Sequence, residues 1–441
     1  MLKTNRMRKI LIFPLVMLGL FAQAQRYLSV EEAVGIALQN NFDLRLAKND
    51  SVAAAIDYAY RNSALLPKLN GNAGIVFNNN DQYQKFSDGT IRQRKGIESS
   101  NLSSSVSLSW TIFNGFKLYA TKEKLSELLK MGELGIKQSV GNTVANVINT
   151  YYAIVQQKQQ LKAIEEQLVI SQERVKLATN KLEIGVGTKP DLLQSKVDLN
   201  AQKAAQLEGI TTIRQLKEQL SHLLNSELNS AFEVSDEIPF TNRLQLNEIK
   251  SDLEKTNPEL LIAQKNISLA ELTLKEKKAD RLPVLGINSS YNFSKLDNKA
   301  VVNPFSPLFS RNNGFNYGIT ATIPILNNFS VKKNIEQASL TVRNSKLLFD
   351  AQKSLLNLSI VKAYNEYESQ LQALKLEEEN INLAKENVSI IMEVYRLNST
   401  TLIQLKEAQK SLQDAYTRLI RARYNTKLAE TELLRLKGTL L

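Results

Sequence analysis

The side chains that most often carry out catalysis or hold metals are scarce in this chain. Its 441 residues include one histidine, His222, and no cysteine. A thiol nucleophile, a cysteine-based zinc site and a disulfide are therefore excluded. With a single histidine, neither a multi-histidine metal cluster nor a catalytic site built on any other histidine is possible. We interpret His222 as a residue between helices, near a helix end.

Two other stretches could suggest chemistry and are set aside. Gly185-Val186-Gly187-Thr188-Lys189 superficially resembles a phosphate-binding loop, but it lacks the G-x4-G-K-[ST] spacing and follows a helical pattern instead of a strand. The acidic pair Glu165-Glu166 lies on a charged helix face, and we interpret it as solvated. We therefore predict no cofactor, no metal site and no enzyme.

The net charge of the chain does not indicate nucleic-acid binding. The formal charge is +12, but the basic residues are dispersed along helical segments and mixed with glutamates. They form no stripe interleaved with aromatic residues, so we predict no nucleic-acid partner.

The N-terminus has the layout of a secretory signal. Basic residues precede an apolar run from Ile10 to Phe21, and Ala22-Gln23-Ala24 is a small-x-small cleavage site before Gln25. The apolar run is too short to anchor the chain as a spanning helix. We predict a signal peptide over residues 1–24, with a buried N-terminal helix as the alternative.

The two halves of the mature chain repeat each other. Leu66-Pro67 matches Leu282-Pro283 at a shift of 216, and Tyr151 matches Tyr364 at a shift of 213. A shift that stays nearly constant over many landmarks indicates duplication. We predict two structural repeats, at residues 25–240 and 241–441.

Each repeat is predicted to open with a helical segment, at 29–66 and 243–281, that ends at a Leu-Pro pair.

Two strands follow in each repeat, which makes four in the chain. Each has about 9–11 residues with one apolar and one small polar face, the length and pattern of strands that face lipid on one side and water on the other. Their apolar faces comprise Leu69, Ala73, Ile75 and Phe77; Val106, Leu108, Trp110 and Ile112; Leu285, Ile287, Tyr291 and Phe293; and Phe315, Tyr317, Ile319, Ala321 and Ile323. We predict loops at 79–101 and 294–314. A soluble, half-buried sheet is the alternative, because it alternates too.

Very long helices complete each repeat. Proline is absent from 116–181, and apolar residues recur there every seven positions, as they do from Ile360 to Tyr395. That spacing predicts coiled-coil seams. Breaks at 185–190 and 398–401 precede returning helices at 191–224 and 402–437, so each repeat should contain a long helical hairpin.

Four strands are too few to close a membrane barrel, and an open edge in lipid would leave backbone groups unpaired. The chain must therefore oligomerise if the strands lie in a membrane. Long hairpins arranged below such a barrel would enclose a conduit.

Over nearly its whole mature length the chain resembles the TolC-like outer-membrane efflux channels. The resemblance rests on the order and double occurrence of short motifs: Leu66-Pro67-x-Leu69, Leu282-Pro283-x-Leu285, the strand-to-helix turns Trp110–Phe116 and Ile323–Asn327, and the terminal helix from Ala422 to Leu440. It implies a mixed α+β membrane protein in which coiled-coil helices form a tunnel and a trimer completes a twelve-stranded barrel.

The resemblance also implies a location and partners. The chain would be the outer-membrane channel of a Gram-negative tripartite efflux or type I secretion system. It would contact outer-membrane lipid and dock onto a periplasmic adaptor and an inner-membrane pump of RND or ABC type. The alternative is a soluble periplasmic coiled-coil scaffold or adaptor.

Finally, the resemblance implies a gate near the hairpin tips. Asp191 occupies the position of a family aspartate in the first hairpin, and Tyr395 that of a family gating tyrosine. In the second hairpin, Gln404 stands at one family aspartate position and Glu407 at the next. Adaptor contacts are expected at the tips: Gly185, Val186, Gly187, Thr188, Asn398, Ser399, Thr400 and Thr401. Thr400 replaces the family arginine that ties to the tyrosine. Asp191 and Glu407 could instead be solvated helix-end charges.

Overall fold

The computed structural model describes residues 27–226, 232–240, 243–397 and 399–440. The predicted signal peptide lies outside these residues, and the predicted division at 240/241 lies beside the undescribed pair 241–242, so both stay predictions. The described elements follow in chain order: α1 (Val30–Asn40), α2 (Phe42–Ala59), β1 (Lys68–Lys85), β2 (Ile91–Asn114), α3 (Lys117–Glu183), α4 (Lys189–Leu224), α5 (Leu246–Lys250), α6 (Leu253–Thr256), α7 (Pro258–Ala279), β3 (Val284–Asn298), β4 (Phe309–Thr322), α8 (Ser330–Arg396) and α9 (Leu402–Lys437).

The opening helical segments are interrupted, where the sequence suggested single helices. Asn41 separates α1 from α2, and its side chain accepts hydrogen bonds from the first amides of α2. Its amide nitrogen also donates to the Leu223 carbonyl, 2.9 Å away at the end of α4. Asn257 repeats the arrangement, capping α7 and donating to the Leu436 carbonyl at 2.8 Å. In each half, one asparagine therefore satisfies both a helix start and a helix end.

The four strands form one antiparallel sheet in the order β1-β2-β3-β4. Leu69 lies opposite Leu108, Leu108 opposite Ser289, and Ser289 opposite Tyr317. Because directly opposed residues share a face, the predicted apolar faces of all four strands coincide on one side of the sheet. The other side carries most of the asparagines, serines and glycines.

The predicted strand lengths and loops are wrong. The strands have 18, 24, 15 and 14 residues, so most of 79–101 and 294–314 is strand. The backbone ladder continues past the apolar band, because its hydrogen bonds do not depend on side-chain polarity. A register shift after Asn80 is accommodated at Gly96, whose φ is +65°.

A glycine is required where β2 turns into α3. Gly115 has a φ of +69°, and a Cβ there would lie 2.5 Å from the Ala279 carbonyl oxygen at the end of α7. The turn therefore packs in direct contact with the end of α7. Only a residue without a side chain fits this close approach.

The long helices carry the predicted seams. On α8 the buried residues from Ile360 onward recur every seven positions: Ile360, Tyr367, Leu374, Ile381, Val388 and Tyr395. Alanines 408, 415 and 422 of α9 pack against this seam at the same spacing. On α3 only Val147 and Ile154 of the predicted seam are fully buried, in a core shared with α1, α4 and residues 232–238.

Among the four long helices, α3 packs against α4 and α9, and α9 packs against α8. The side-by-side order is therefore α4-α3-α9-α8, with α4 and α8 at the edges. Both edge helices expose apolar residues: Leu193, Val197 and Leu207 on α4, and Leu376, Leu383 and Ile390 on α8. Within the described residues, no helix is long and apolar enough to cross a membrane.

Candidate channel mouth at the hairpin tips

The first tip is a tight reversal between α3 and α4. Gly185 has a φ of +78°, and the amides of Val186 and Gly187 both donate to the Lys181 carbonyl, at 3.0 and 2.8 Å. A Cβ on Gly187 would lie 2.8 Å from backbone atoms of Lys181 and Leu182. The two glycines therefore permit a turn that leaves the side chains of Ile184 and Val186 exposed.

Asp191 lies in the first turn of α4. The Thr188 hydroxyl caps this helix, accepting from the Asp191 amide at 3.3 Å and donating to the Asp191 carboxylate at 2.7 Å. A carboxylate in this position also interacts favourably with the positive end of the helix dipole. Within one chain, Asp191 therefore acts as a charge that stabilises the start of α4. A role in the pore would be in addition to this local one.

The second tip is closed by a capping box. The Thr401 hydroxyl accepts from the Gln404 amide at 3.3 Å, while the Gln404 side-chain oxygen accepts from the Thr401 amide at 3.4 Å. The Thr400 hydroxyl also bonds to Gln404. Gln404 therefore holds the start of α9. Ser399 donates its amide to the Val394 carbonyl at 3.0 Å, and Asn398 lies outside the described residues.

Tyr395 is held by a residue that the sequence analysis missed. The Lys181 ammonium lies 3.7 Å from the centroid of the Tyr395 ring and donates to the Tyr395 carbonyl at 2.9 Å. One side chain of α3 therefore holds both the ring and the backbone at the end of α8.

The Asp191 carboxylate acts on both members of this pair. Burial lowers the pKa of Lys181, and Asp191 partly opposes that shift. Burial, and then the charge of Asp191, raises the pKa of Tyr395. Asp191, Lys181 and Tyr395 thus form one electrostatic cluster at the tip, with the tyrosine neutral at physiological pH.

A second tie lies further up the helices, around the buried Arg174. Its two terminal nitrogens donate to Gln409 on α9 and to Asp198 on α4, both at 2.8 Å. Lys406 of α9 reaches the other oxygen of Asp198 at 3.1 Å. This cluster connects three helices through charge-assisted hydrogen bonds.

A spacing signal for this tie was present in the sequence. The buried residues Gln167, Ser171, Arg174 and Ala178 follow one another at intervals of four, three and four on α3. That is a second seam, with polar residues where apolar ones are usual, so the pattern of apolar residues alone does not predict it.

The two hairpins of one chain are joined by a ladder of such polar contacts. Besides Lys181–Tyr395 and the Arg174 cluster, the ladder includes Gln160–Thr417, Glu166–Tyr416 and Gln202–Gln413. The interior of the second hairpin is apolar by contrast.

Glu407 is exposed on α9 and has no hydrogen bond or ion pair among the described residues. No such contact joins it to Asp191. The predicted acidic constriction therefore stays a prediction about how several copies face a common pore.

An apolar-faced sheet joined to paired helical hairpins defines a class of protein, the channel subunits of the bacterial outer membrane. The family model described as "Outer membrane efflux protein" matches residues 33–226 and 250–439. The chain belongs to this family, as its motifs predicted.

Curated relatives agree with this assignment. The chain is 22% identical over 414 residues to the alkaline protease secretion protein AprF of Pseudomonas aeruginosa, covering 90% of this chain and 83% of the relative. It is 22% identical over 402 residues to the outer membrane protein TolC of Vibrio cholerae, covering 88% and 87%. Their names describe a component of protein secretion and a protein of the outer membrane.

Solved structures share the fold. The Campylobacter jejuni CmeC outer membrane channel superimposes with a TM-score of 0.77 at 18% identity, over 93% of this chain and 86% of that one. VceC of Vibrio cholerae superimposes with a TM-score of 0.75 at 14% identity, over 93% and 96%. The predicted fold class, outer-membrane location and channel function are confirmed, and the soluble scaffold is not favoured.

Proposed function

We propose that three copies of this chain assemble into one passive conduit from the periplasm to the exterior, which performs no catalysis of its own. The proposal is carried by one observation: both the sheet and the layer of long helices have two unpaired edges in the single chain. The sheet ends at β1 and β4, and the layer of long helices ends at α4 and α8.

The open strands require partners. Each edge strand leaves a row of unpaired backbone groups, which cost several kcal/mol each in a hydrocarbon environment. Pairing β4 of one copy with β1 of the next removes every edge when the ring closes. Contacts of this head-to-tail kind generate closed rings, and three copies with four strands each supply a twelve-stranded barrel.

The edge helices favour the same closure. The apolar stripe of α8 runs from Leu376 to Ile390 at seven-residue intervals, and it is exposed in the single chain. Leu193, Val197 and Leu207 of α4 supply a complementary stripe on the opposite edge. Packing α8 of one copy against α4 of the next buries both stripes and encloses a lumen.

The hairpin tips are the docking surface for a periplasmic adaptor that connects the channel to an inner-membrane pump of RND or ABC type. Ile184, Val186, Leu397 and Ile403 are exposed around the two reversals. Exposed apolar residues on a rigid turn are typical of a protein interface. The relatives are named for protein secretion and for efflux, and either cargo class is compatible with a passive conduit.

The tip cluster is the gate. Lys181 and Tyr395 hold the two hairpins together in the closed state, and the Arg174 cluster supports them from above. Asp191 and Glu407 face the pore, where a ring of carboxylates attracts and retains cations.

Cysteine cross-linking tests the assembly directly, because the chain has no native cysteine. Val197 lies eight residues after the start of α4 and Ile390 six residues before the end of α8, at similar heights above the tips. We expect the V197C/I390C double variant to form covalent trimers under mild oxidation. Each single variant is the control, and a purely monomeric product from the double variant would contradict the ring.

Function is tested in a strain that lacks the gene. Accumulation of a fluorescent dye should rise in the deletion strain and return to normal when the wild-type gene is restored. Outer-membrane fractionation of the protein without any change in accumulation or secretion would contradict the conduit.

A further inference from the structure

The apolar face of the sheet ends in an unusual pair of cations. Lys295 of β3 and Arg311 of β4 lie directly opposite each other on that face. Like charges placed opposite on neighbouring strands repel. Neither residue forms an ion pair with a carboxylate among the described residues. The nearest acid along the same face is Asp297, which lies opposite Phe309.

Both cations are held by aromatic rings. The Arg311 guanidinium lies 5.4 Å from the centroid of the Phe293 ring, and the Lys295 ammonium lies 5.5 Å from that of Phe309. These contacts orient the two positive groups along the sheet surface without neutralising them. The structure therefore presents two adjacent, ordered positive charges that lack an anion.

Their height along the sheet indicates which anion they meet. Lys295 lies ten residues beyond Leu285, where the apolar face begins. At about 3.3 Å per residue and a tilt of roughly 40°, this corresponds to about 25 Å, the height of the apolar band of outer-membrane barrels. The pair therefore lies where hydrocarbon gives way to headgroups.

The leaflet follows from the topology. Helices α3 and α8 leave the sheet at the C-terminal ends of β2 and β4, and they extend to the tips. Lys295 and Arg311 lie toward the opposite end, near the turn that joins β3 to β4. They therefore face the outer leaflet, whose characteristic lipid in Gram-negative bacteria is a glycolipid with phosphorylated sugars.

A polar cleft lies on the same face of the sheet, on the turn side of Lys295, and neither Lys295 nor Arg311 lines it. It has a volume of about 480 Å³ and is lined by Phe77, Asn79, Glu98, Ser100, Asp297 and Lys299. Glu98 and Lys299 pair with each other at 2.6 Å and add no net charge, so the carboxylate of Asp297 leaves the cleft with one negative charge. The Asn79 amide, the Ser100 hydroxyl and the Asp297 carboxylate can form hydrogen bonds with the hydroxyl groups of a sugar, while a phosphate on that sugar meets the two cations outside the cleft.

We propose that Lys295 and Arg311 form a binding site for the phosphate of an outer-leaflet glycolipid, with its sugar in the adjoining cleft. The inference depends on the proposed function, because it requires the apolar face to lie in lipid. A phosphate between the two cations removes their repulsion and accepts hydrogen bonds from both.

The test uses full-length protein extracted from the outer membrane, delipidated in detergent and titrated with lipid A that carries two phosphates, with binding read by native mass spectrometry. We expect the K295Q/R311Q variant to bind roughly 30-fold more weakly than the wild type, since each basic residue near a membrane surface contributes about 1 kcal/mol. K68Q/R281Q is the matched control, because it removes two charges at the other end of the sheet and should bind normally.

Three results would overturn the site. They are equal binding by K295Q/R311Q and wild type, equal binding of phosphate-free lipid A by the wild type, and full competition by inorganic phosphate at equal concentration, which would identify free phosphate as the ligand. Recovery of the protein in the soluble fraction would instead refute the membrane assignment, so the two failures are distinguishable.

Discussion

Lys181 of α3 places its ammonium 3.7 Å from the centre of the Tyr395 ring on α8 while donating to the carbonyl of the same tyrosine at 2.9 Å. A single side chain thereby joins the end of α3, in the first hairpin, to the end of α8, in the second hairpin. The contact lies at the tips, where small displacements of the hairpins most change the width of a pore.

Loss of the Lys181 ammonium should loosen the closed state. The K181Q variant removes a cation–π contact of about 0.5–2 kcal/mol and a charged hydrogen bond of about 1.5–3 kcal/mol. We expect a higher open probability and conductance in planar bilayers. The Y395F variant keeps the ring and the carbonyl and should behave as wild type, as should K176Q, which removes an exposed lysine of the same helix. Unchanged conductance of K181Q would refute the tie.

The buried Arg174 should make Asp198 important for stability. The D198A variant leaves a buried guanidinium without its carboxylate, and breaking a buried ion pair from one side typically costs about 3–5 kcal/mol. We expect a lower melting temperature, followed by circular dichroism of the helices. The D414A variant removes an exposed aspartate of α9 and should melt as wild type. Equal melting of both variants would contradict the buried pair.

Tyr151 should hold the chain segments that flank the helical bundle. Its hydroxyl donates to the Leu28 carbonyl at 2.9 Å and accepts from the Ser235 amide at 3.0 Å. The Y151F variant should lose about 1–3 kcal/mol of unfolding free energy, because a buried carbonyl and a partly buried amide lose their partner. In denaturant titrations Y152F is the control, since Tyr152 is equally buried but has no hydrogen bond among the described residues. A larger loss in Y152F would reverse the assignment.

The same two tyrosines predict an alkaline limit of stability. Burial raises the pKa of both Tyr151 and Tyr152 from 10 to about 12. The folded protein therefore retains their protons where the unfolded chain releases them. The associated stability is complete below about pH 10 and is lost as the pH rises toward 12. The ionisation of the two tyrosines is followed by the absorbance of tyrosinate near 295 nm, and unfolding by circular dichroism. We expect these two tyrosines to ionise at the pH at which the protein unfolds, and not at a lower pH.

Gly187 should be essential for the shape of the first tip. In G187A the added methyl group would meet backbone atoms of Lys181 and Leu182 at 2.8 Å, so the turn must shift. We expect the variant to reach the outer membrane but to lose efflux or secretion activity, because the adaptor surface is displaced. The G141A variant adds a methyl group to open space within α3 and should retain activity. Full activity of G187A would argue against docking at this tip.

Asp191 and Glu407 should bind cations at the mouth. The D191N/E407Q variant keeps the shape of both side chains, and the introduced amide oxygen can still accept a hydrogen bond at the start of α4. We expect weaker block of the channel by divalent cations in planar bilayers. A single E407Q variant should give an intermediate effect, and unchanged block in the double variant would mean that the two carboxylates are only helix-end charges.

The seams and turns of this protein are encoded locally. The seven-residue spacing from Ile360 to Tyr395 was sufficient to predict a coiled-coil seam, because a helix returns to the same face at that interval. The alternation along Phe315–Ile323 similarly predicted an apolar strand face. Gly185 and Pro190 predicted the first reversal. In each case the signal lies within a few residues of the feature.

Other features depended on which segments meet in space. The strands extend well past their apolar bands, because backbone hydrogen bonds between two strands continue as long as the neighbouring strand runs alongside. Nothing near Lys181 in the sequence identifies Tyr395 as its partner, and Arg174 finds Asp198 and Gln409 only where three helices converge. Lys295 and Arg311 likewise become a pair through strand register. The sequence by itself determined the helices, the seams and the two-faced strands, because these arise from local periodicity, whereas only the tertiary structure decided the ties between hairpins and the charged pair on the sheet, because each requires residues that are distant in the chain to meet.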